Sequence, residues 1–128
     1  MTTRKSFQNP ERQQAGPLPA ASRIGNIIVT SAIAGDHPKT REFPPDVAGQ
    51  CANMFATLRS VLAEAGATPE DVIKMDVWLA DPTQRNEVNV EWEKMFPDPT
   101  SRPVRHTLRA EPGRSILVQC QVMAIVGG

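Results

Sequence analysis

The chain has 128 residues, in which 14 lysines and arginines balance 14 aspartates and glutamates. That length suits one domain, residues 1–128, with a core of useful size, and the balance leaves no field to draw nucleic acid or an anionic membrane. Two cysteines, Cys51 and Cys120, and two histidines, His37 and His106, supply neither a disulfide framework nor a metal spacing. The first twenty residues lack the apolar core of a signal peptide, and no apolar run approaches membrane-spanning length. The expectation is a cytoplasmic protein with no metal and no cofactor. Its 12 prolines fall mostly between apolar segments and read as loop and strand-edge punctuation.

In chain order, Lys5 to Gln8 reads as a short strand that pairs with a second one, Arg23 to Ser31, in which Gly25-Asn26 forms a turn-like start. Residues 46–65 form the clearest helix. Val47, Cys51, Met54, Phe55, Leu58, Val61 and Leu62 recur at helical steps, Asp46 caps the start and Gly66 the end. Val72 to Leu79 alternates, with Ile73, Met75, Val77 and Leu79 on one face and Lys74, Asp76 and Trp78 on the other. A second helix is expected from Asp81-Pro82-Thr83-Gln84, where Asp81 caps and Gln84 completes a capping box. Val88, Trp92, Met95 and Phe96 give its stripe and Pro97 stops it.

Pro103 to Arg109 and Ser115 to Val126 read as two strands of a hairpin joined at Glu111-Pro112-Gly113. The order strand, strand, helix, strand, helix, strand, strand indicates an α+β fold, a mixed sheet with two helices packed on one face. Alternation puts Arg105, Thr107 and Arg109 on one side and Val104, His106 and Leu108 on the other, while Gln119 and Gln121 oppose the apolar Val118, Cys120, Val122 and Ala124. If the helices cover the apolar faces, Arg105, Thr107 and Gln119 share the bare face and His106 turns to the core. Trp78, Leu117, Met123 and Ile125 make that bare face partly apolar, as expected of a subunit interface.

The stretches Gly16-Pro17, Gly25-Asn26-Ile27-Ile28-Val29-Thr30-Ser31, Val88-Asn89-Val90-Glu91-Trp92 and Pro103-Val104-Arg105 carry a resemblance. In order and spacing the chain resembles the Rid family of enamine/imine deaminases, also called YjgF or L-PSP, over nearly its whole length. The resemblance implies a chorismate-mutase-like α+β fold, a homotrimer and ligand clefts between subunits. It also implies hydrolysis of 2-aminoacrylate-like enamines or imines to 2-oxo acids and ammonia. Arg105 would grip the substrate carboxylate, Thr107 and Asn89 would shape the cleft, and the backbone at Ala32 would line it. Two positions depart from the family pattern. Leu18 stands where the deaminases carry a tyrosine, and Gln119 stands where they carry a glutamate that handles water. An amide orients water but accepts no proton, a loss typically worth about 10²–10⁴ in rate.

Each of these residues also has a plainer reading. Arg105 could pair with a neighbouring subunit, and Arg102 competes for its role from the preceding loop. Arg109 and Arg114 read as solvated, the cysteines as core thiols, His106 as structural, Trp78 and Trp92 as core or interface. Thr107 has no base beside it and reads as a hydrogen-bonding group, not a nucleophile. The leading function is deamination of small carboxylate-bearing enamines or imines, 2-aminoacrylate-like or bulkier, with Gln119 and Arg105 catalytic and Arg105, Thr107, Asn89, Ala32 and Leu18 binding substrate. The alternative is a non-catalytic trimer that binds small carboxylates such as 2-oxo acids. RNA cleavage or chaperone-like binding ranks below both, and zero net charge with no aromatic-basic track makes RNA the weakest. Glu111 and Asp98 are the carboxylates that could replace the missing glutamate.

Overall fold

The structure, a computed structural model, describes residues 3–11, 17–111, 113 and 115–127. Gly16 of the Gly16-Pro17 pair, Pro112 of the expected hairpin signal and Arg114 lie outside the described residues. The elements are β1 (Lys5–Phe7), β2 (Ala21–Ile24), β3 (Ile27–Thr30), β4 (Ile33–Ala34), α1 (Val47–Glu64), β5 (Val72–Leu79), α2 (Arg85–Met95), β6 (Val104–Arg109) and β7 (Val118–Ile125). The strands form one seven-stranded mixed sheet in the order β1-β2-β3-β7-β5-β6, and β4 pairs with β7 beyond the end of β3. The fold is α+β, with the helices against one sheet face.

Local chemistry explains the helices. Asp46 accepts a hydrogen bond from the Gly49 amide at 3.0 Å and so starts α1. The apolar stripe of α1 is buried from Val47 to Leu62, and Gly66 leaves the helix at φ 88°, in the left-handed region that favours glycine. Arg23 on β2 donates to the Ala65 carbonyl at 2.9 Å, placing a cation at the negative end of α1. At the second helix Asp81 accepts from the Thr83 amide at 3.0 Å, but what it caps is a 3₁₀ turn, Pro82–Gln84, that feeds α2. The Gln84 side chain closes no capping box there. Val88, Trp92, Met95 and Phe96 are buried as their spacing predicts.

The strands correct the sequence reading in four places. First, the Arg23–Ser31 segment is a hairpin, not one strand. Gly25 at φ 58° turns the chain between β2 and β3, which then pair antiparallel. The expected pairing of the first strand holds, with Lys5 opposite Arg23. Second, a bulge between Val72 and Lys74 shifts the start of β5 by one residue, so Val72 is buried and Ile73 is 50% exposed. Third, β6 and β7 form no hairpin. β5 lies between them, parallel to β6 and antiparallel to β7. Fourth, the phase of β6 is reversed. Arg105 pairs with Met75, which pairs in turn with Val122; Thr107 shares a row with Val77 and Cys120. Directly paired residues point to one side of a sheet, so Arg105 and Thr107 lie on the helix-covered face, whereas His106 and Val104, 68% exposed, lie on the bare one. β6 is an edge strand that the helices cover incompletely, and apolar alternation there does not report which side is buried.

Candidate functional site

Arg105 reaches under α2. One terminal guanidinium nitrogen, Nη2, donates to the Asn89 side-chain oxygen Oδ1 at 2.7 Å, and Nε donates to the Thr107 hydroxyl at 3.2 Å. The Trp92 ring lies 5.0 Å from the guanidinium carbon, within cation–π range, and is itself held edge-on by Phe96 at 4.8 Å between centroids. Two of the five guanidinium N–H groups are thus used on neutral partners. Three remain, two on Nη1 and one on Nη2, which is enough for a two-point grip on a carboxylate. Among the described residues no carboxylate is ion-paired with Arg105. Burial, and next the charge of Arg85, push its pKa below the ordinary guanidinium value. It is a half-buried cation held in place by neutral partners.

The other sequence-derived site residues lie elsewhere. Gln119 faces the opposite side of the sheet, between Trp78 on β5 and Ala34 on β4, so the expectation that Arg105, Thr107 and Gln119 share one face on adjacent strands fails. The adjacency fails because β5 is inserted between them, and the shared face fails because the phase of β6 is reversed. Leu18 and Ala32 line a cavity of about 350 Å³ together with Ser31, Asp36, Arg41 and Thr57. Asp36 is buried and accepts from Arg41 Nε at 3.2 Å. Ser31 donates to the Pro19 carbonyl at 2.7 Å and fixes this wall. β4 and β6 are three strand spacings apart, roughly 14 Å, so this cavity and Arg105 are separate within one chain.

The competing groups are accounted for locally. Arg102 spends Nε on the Phe96 carbonyl at 2.8 Å, closing the end of α2. Asp98 accepts from the Thr100 amide at 2.9 Å and its hydroxyl at 2.7 Å, and these bonds lower its pKa. Glu111 is exposed past the end of β6. Neither carboxylate is bonded to Arg105. Burial pushes the Cys51 thiol up to about 12, with Glu91 and Glu87 adding to the rise, and burial raises Cys120 too. Both are protonated thiols at neutral pH. Among the described residues no group of His, Cys, Asp and Glu could hold a metal ion, and no helix is long and apolar enough to cross a membrane.

Sequence reading missed the role of Trp92. Its spacing of three from Asn89 on a helix was the available signal, because residues so spaced share a face.

An α+β sheet backed by two helices defines a recognisable class. Residues 9–126 match the family model described as endoribonuclease L-PSP, and the chain belongs to that family. It is 32% identical over 81 residues to the 2-iminobutanoate/2-iminopropanoate deaminase of Escherichia coli K12, covering 63% of each chain. A RutC family protein of Haemophilus influenzae is 31% identical over 81 residues, 63% of this chain and 62% of that one. The match therefore spans less than two thirds of these relatives. Among solved structures, the YjgF gene product of E. coli superposes with a TM-score of 0.86 at 25% identity, covering 96% of this chain and 99% of that one. E. coli TdcF with bound serine gives 0.85 at 20% identity, covering 96% and 100%.

Proposed function

We propose that the protein hydrolyses small carboxylate-bearing enamines or imines to 2-oxo acids and ammonia, at clefts that two copies of the chain build together. The observation that carries this reading is the Arg105 guanidinium, fixed by Asn89, Thr107 and Trp92 and lacking any carboxylate partner among the described residues. The imine deaminase among the relatives supports the reaction class. In this account Arg105 binds the substrate carboxylate, and a second copy contributes Gln119 from its bare sheet face. A water oriented by the Gln119 amide adds to the imine carbon as the nitrogen takes up a proton. The resulting carbinolamine then loses its C–N bond, ammonia departs, and the remaining hydroxyl becomes the 2-oxo group. An enamine first takes a proton at carbon and gives one up from nitrogen to reach the imine.

The copies would meet as a homotrimer through the bare sheet face. Ile24, Ile27, Val29, Ile73, Val104 and Ile125 are exposed there and along its margins, an apolar surface of the kind that subunits cover. The second reading, a carboxylate-binding trimer without catalysis, draws on Gln119 in place of a base. The two separate by experiment. Freshly generated 2-aminoacrylate or 2-iminobutanoate is mixed with the protein and ammonia release is timed against buffer. Release faster than buffer is the expected result. A rate equal to buffer, with a melting temperature raised by 2-oxobutyrate, would leave only the binding function.

A further inference from the structure

Arg105 has a second cation beside it that the reading above does not use. Arg85 opens α2 four residues before Asn89, and Trp92 follows Asn89 by three, so the three side chains lie on one helical stripe. Asn89 and Trp92 both touch Arg105, which turns this stripe, Arg85 included, toward β6. Arg85 is exposed, and its Nε donates to the Pro82 carbonyl at 3.3 Å. Its terminal nitrogens have no protein acceptor among the described residues, and no carboxylate there is ion-paired with either arginine. The charge of Arg85 is also felt at Arg105, where it adds to burial in lowering the pKa. Like charges held close without a counterion raise the free energy of the empty site, and a ligand with two negative groups relieves that.

We propose that Arg85 is a specificity-determining residue that takes a second carboxylate, so that the preferred substrates are imines of amino-dicarboxylic acids. Arg105 holds the carboxylate next to the imine carbon and Arg85 holds the distal one. One additional guanidinium matches one additional carboxylate in both charge and two-point geometry. The inference rests on the Arg105 carboxylate site proposed above, and its test separates the two.

Calorimetric titration of the full chain with 2-oxo acids of equal carbon count gives the comparison: 2-oxobutyrate against oxaloacetate, and 2-oxopentanoate against 2-oxoglutarate. At least one diacid is expected to bind about tenfold or more tighter than its monoacid partner, the scale of one charge-assisted hydrogen-bonded contact. Arg85→Ala should abolish that preference and leave monoacid affinity unchanged, and Arg85→Lys should restore part of it. Equal wild-type affinities for diacids and monoacids, or equal losses of both in Arg85→Ala, would overturn the inference. It would do so while leaving the Arg105 site standing, provided Arg105→Ala abolishes binding of both classes. If Arg105→Ala leaves monoacids bound, or the wild type binds no 2-oxo acid, the carboxylate site itself is wrong and the role of Arg85 falls with it.

Discussion

In the proposed hydrolysis Gln119 would stand in the place of a proton acceptor, and an amide cannot act as one. If it orients the attacking water, Gln119→Glu should raise kcat on 2-aminoacrylate by at least about tenfold, below the usual gain from a general base. The Arg105 of the same chain lies across β5 on the opposite sheet face, so pairing with the new carboxylate would come from the Arg105 of the other copy and would show as a raised KM with flat kcat. Unchanged kcat and KM would place Gln119 outside the site. Cys51 makes a separate prediction about pH. Its folded pKa, raised by burial from 9.0 to about 12, favours the protonated thiol in the folded state. The associated stability is complete below the unfolded value and is lost as pH rises toward the folded one. Urea midpoints should therefore fall between pH 9 and 11, about the range over which an unfolded thiol ionises, and fall less steeply in Cys51→Val. Identical slopes for the two proteins would contradict the assignment.

At the scale of elements, the long periodic segments were legible and the pairing was not. The α1 and α2 stripes follow from three- and four-residue spacing, since each helix must bury one face. The β6–β7 arrangement was hidden because Glu111-Pro112-Gly113 has the composition of a hairpin turn, whereas β5, ending at Leu79, lies between the two strands. There Ala110 donates to the Leu79 carbonyl and Ala80 to the Leu117 carbonyl, both at 3.0 Å. A usable signal existed, for a strand-helix-strand order of this length favours parallel neighbours. With β6 moved beside β5, Arg105 and Thr107 turn under α2 and meet Asn89. The residue types of that cluster were readable from sequence, but its side of the sheet was not. Gln50 was likewise invisible, because a polar residue on a helix reads as solvated. It is 0% exposed, donates to the Pro44 and Ser115 carbonyls at 2.8 Å each, and accepts from the Leu117 amide at 2.9 Å. Opposite it, a Cβ on Gly35 would lie 2.2 Å from the Gln50 carbonyl oxygen. Gln50→Leu strands three backbone groups and should cost on the order of 2–4 kcal/mol in chemical unfolding. Gly35→Ala should also destabilise, by forcing α1 away from β4. A loss under about 0.5 kcal/mol for Gln50→Leu would deny it this role.

Across the whole molecule, one sheet face is packed by helices and the other carries exposed isoleucines and valines in rows set by strand register, Ile24, Ile27 and Ile125 among them. Light scattering should give the mass of a trimer at micromolar concentration, and a charge placed in this face by Val29→Glu should shift it toward monomer and abolish ammonia release. A wild-type monomer would remove the shared-cleft account. The central claim, that Arg105 is the group that binds the substrate carboxylate, is tested most directly by kcat/KM for ammonia release in two single variants. Arg105→Ala is expected to lose about 100-fold or more, as removal of a charge-assisted two-point contact implies. Arg102→Ala should keep most of the activity, since Arg102 serves the Phe96 carbonyl. Equal losses in the two variants, or undiminished activity in Arg105→Ala, would contradict it.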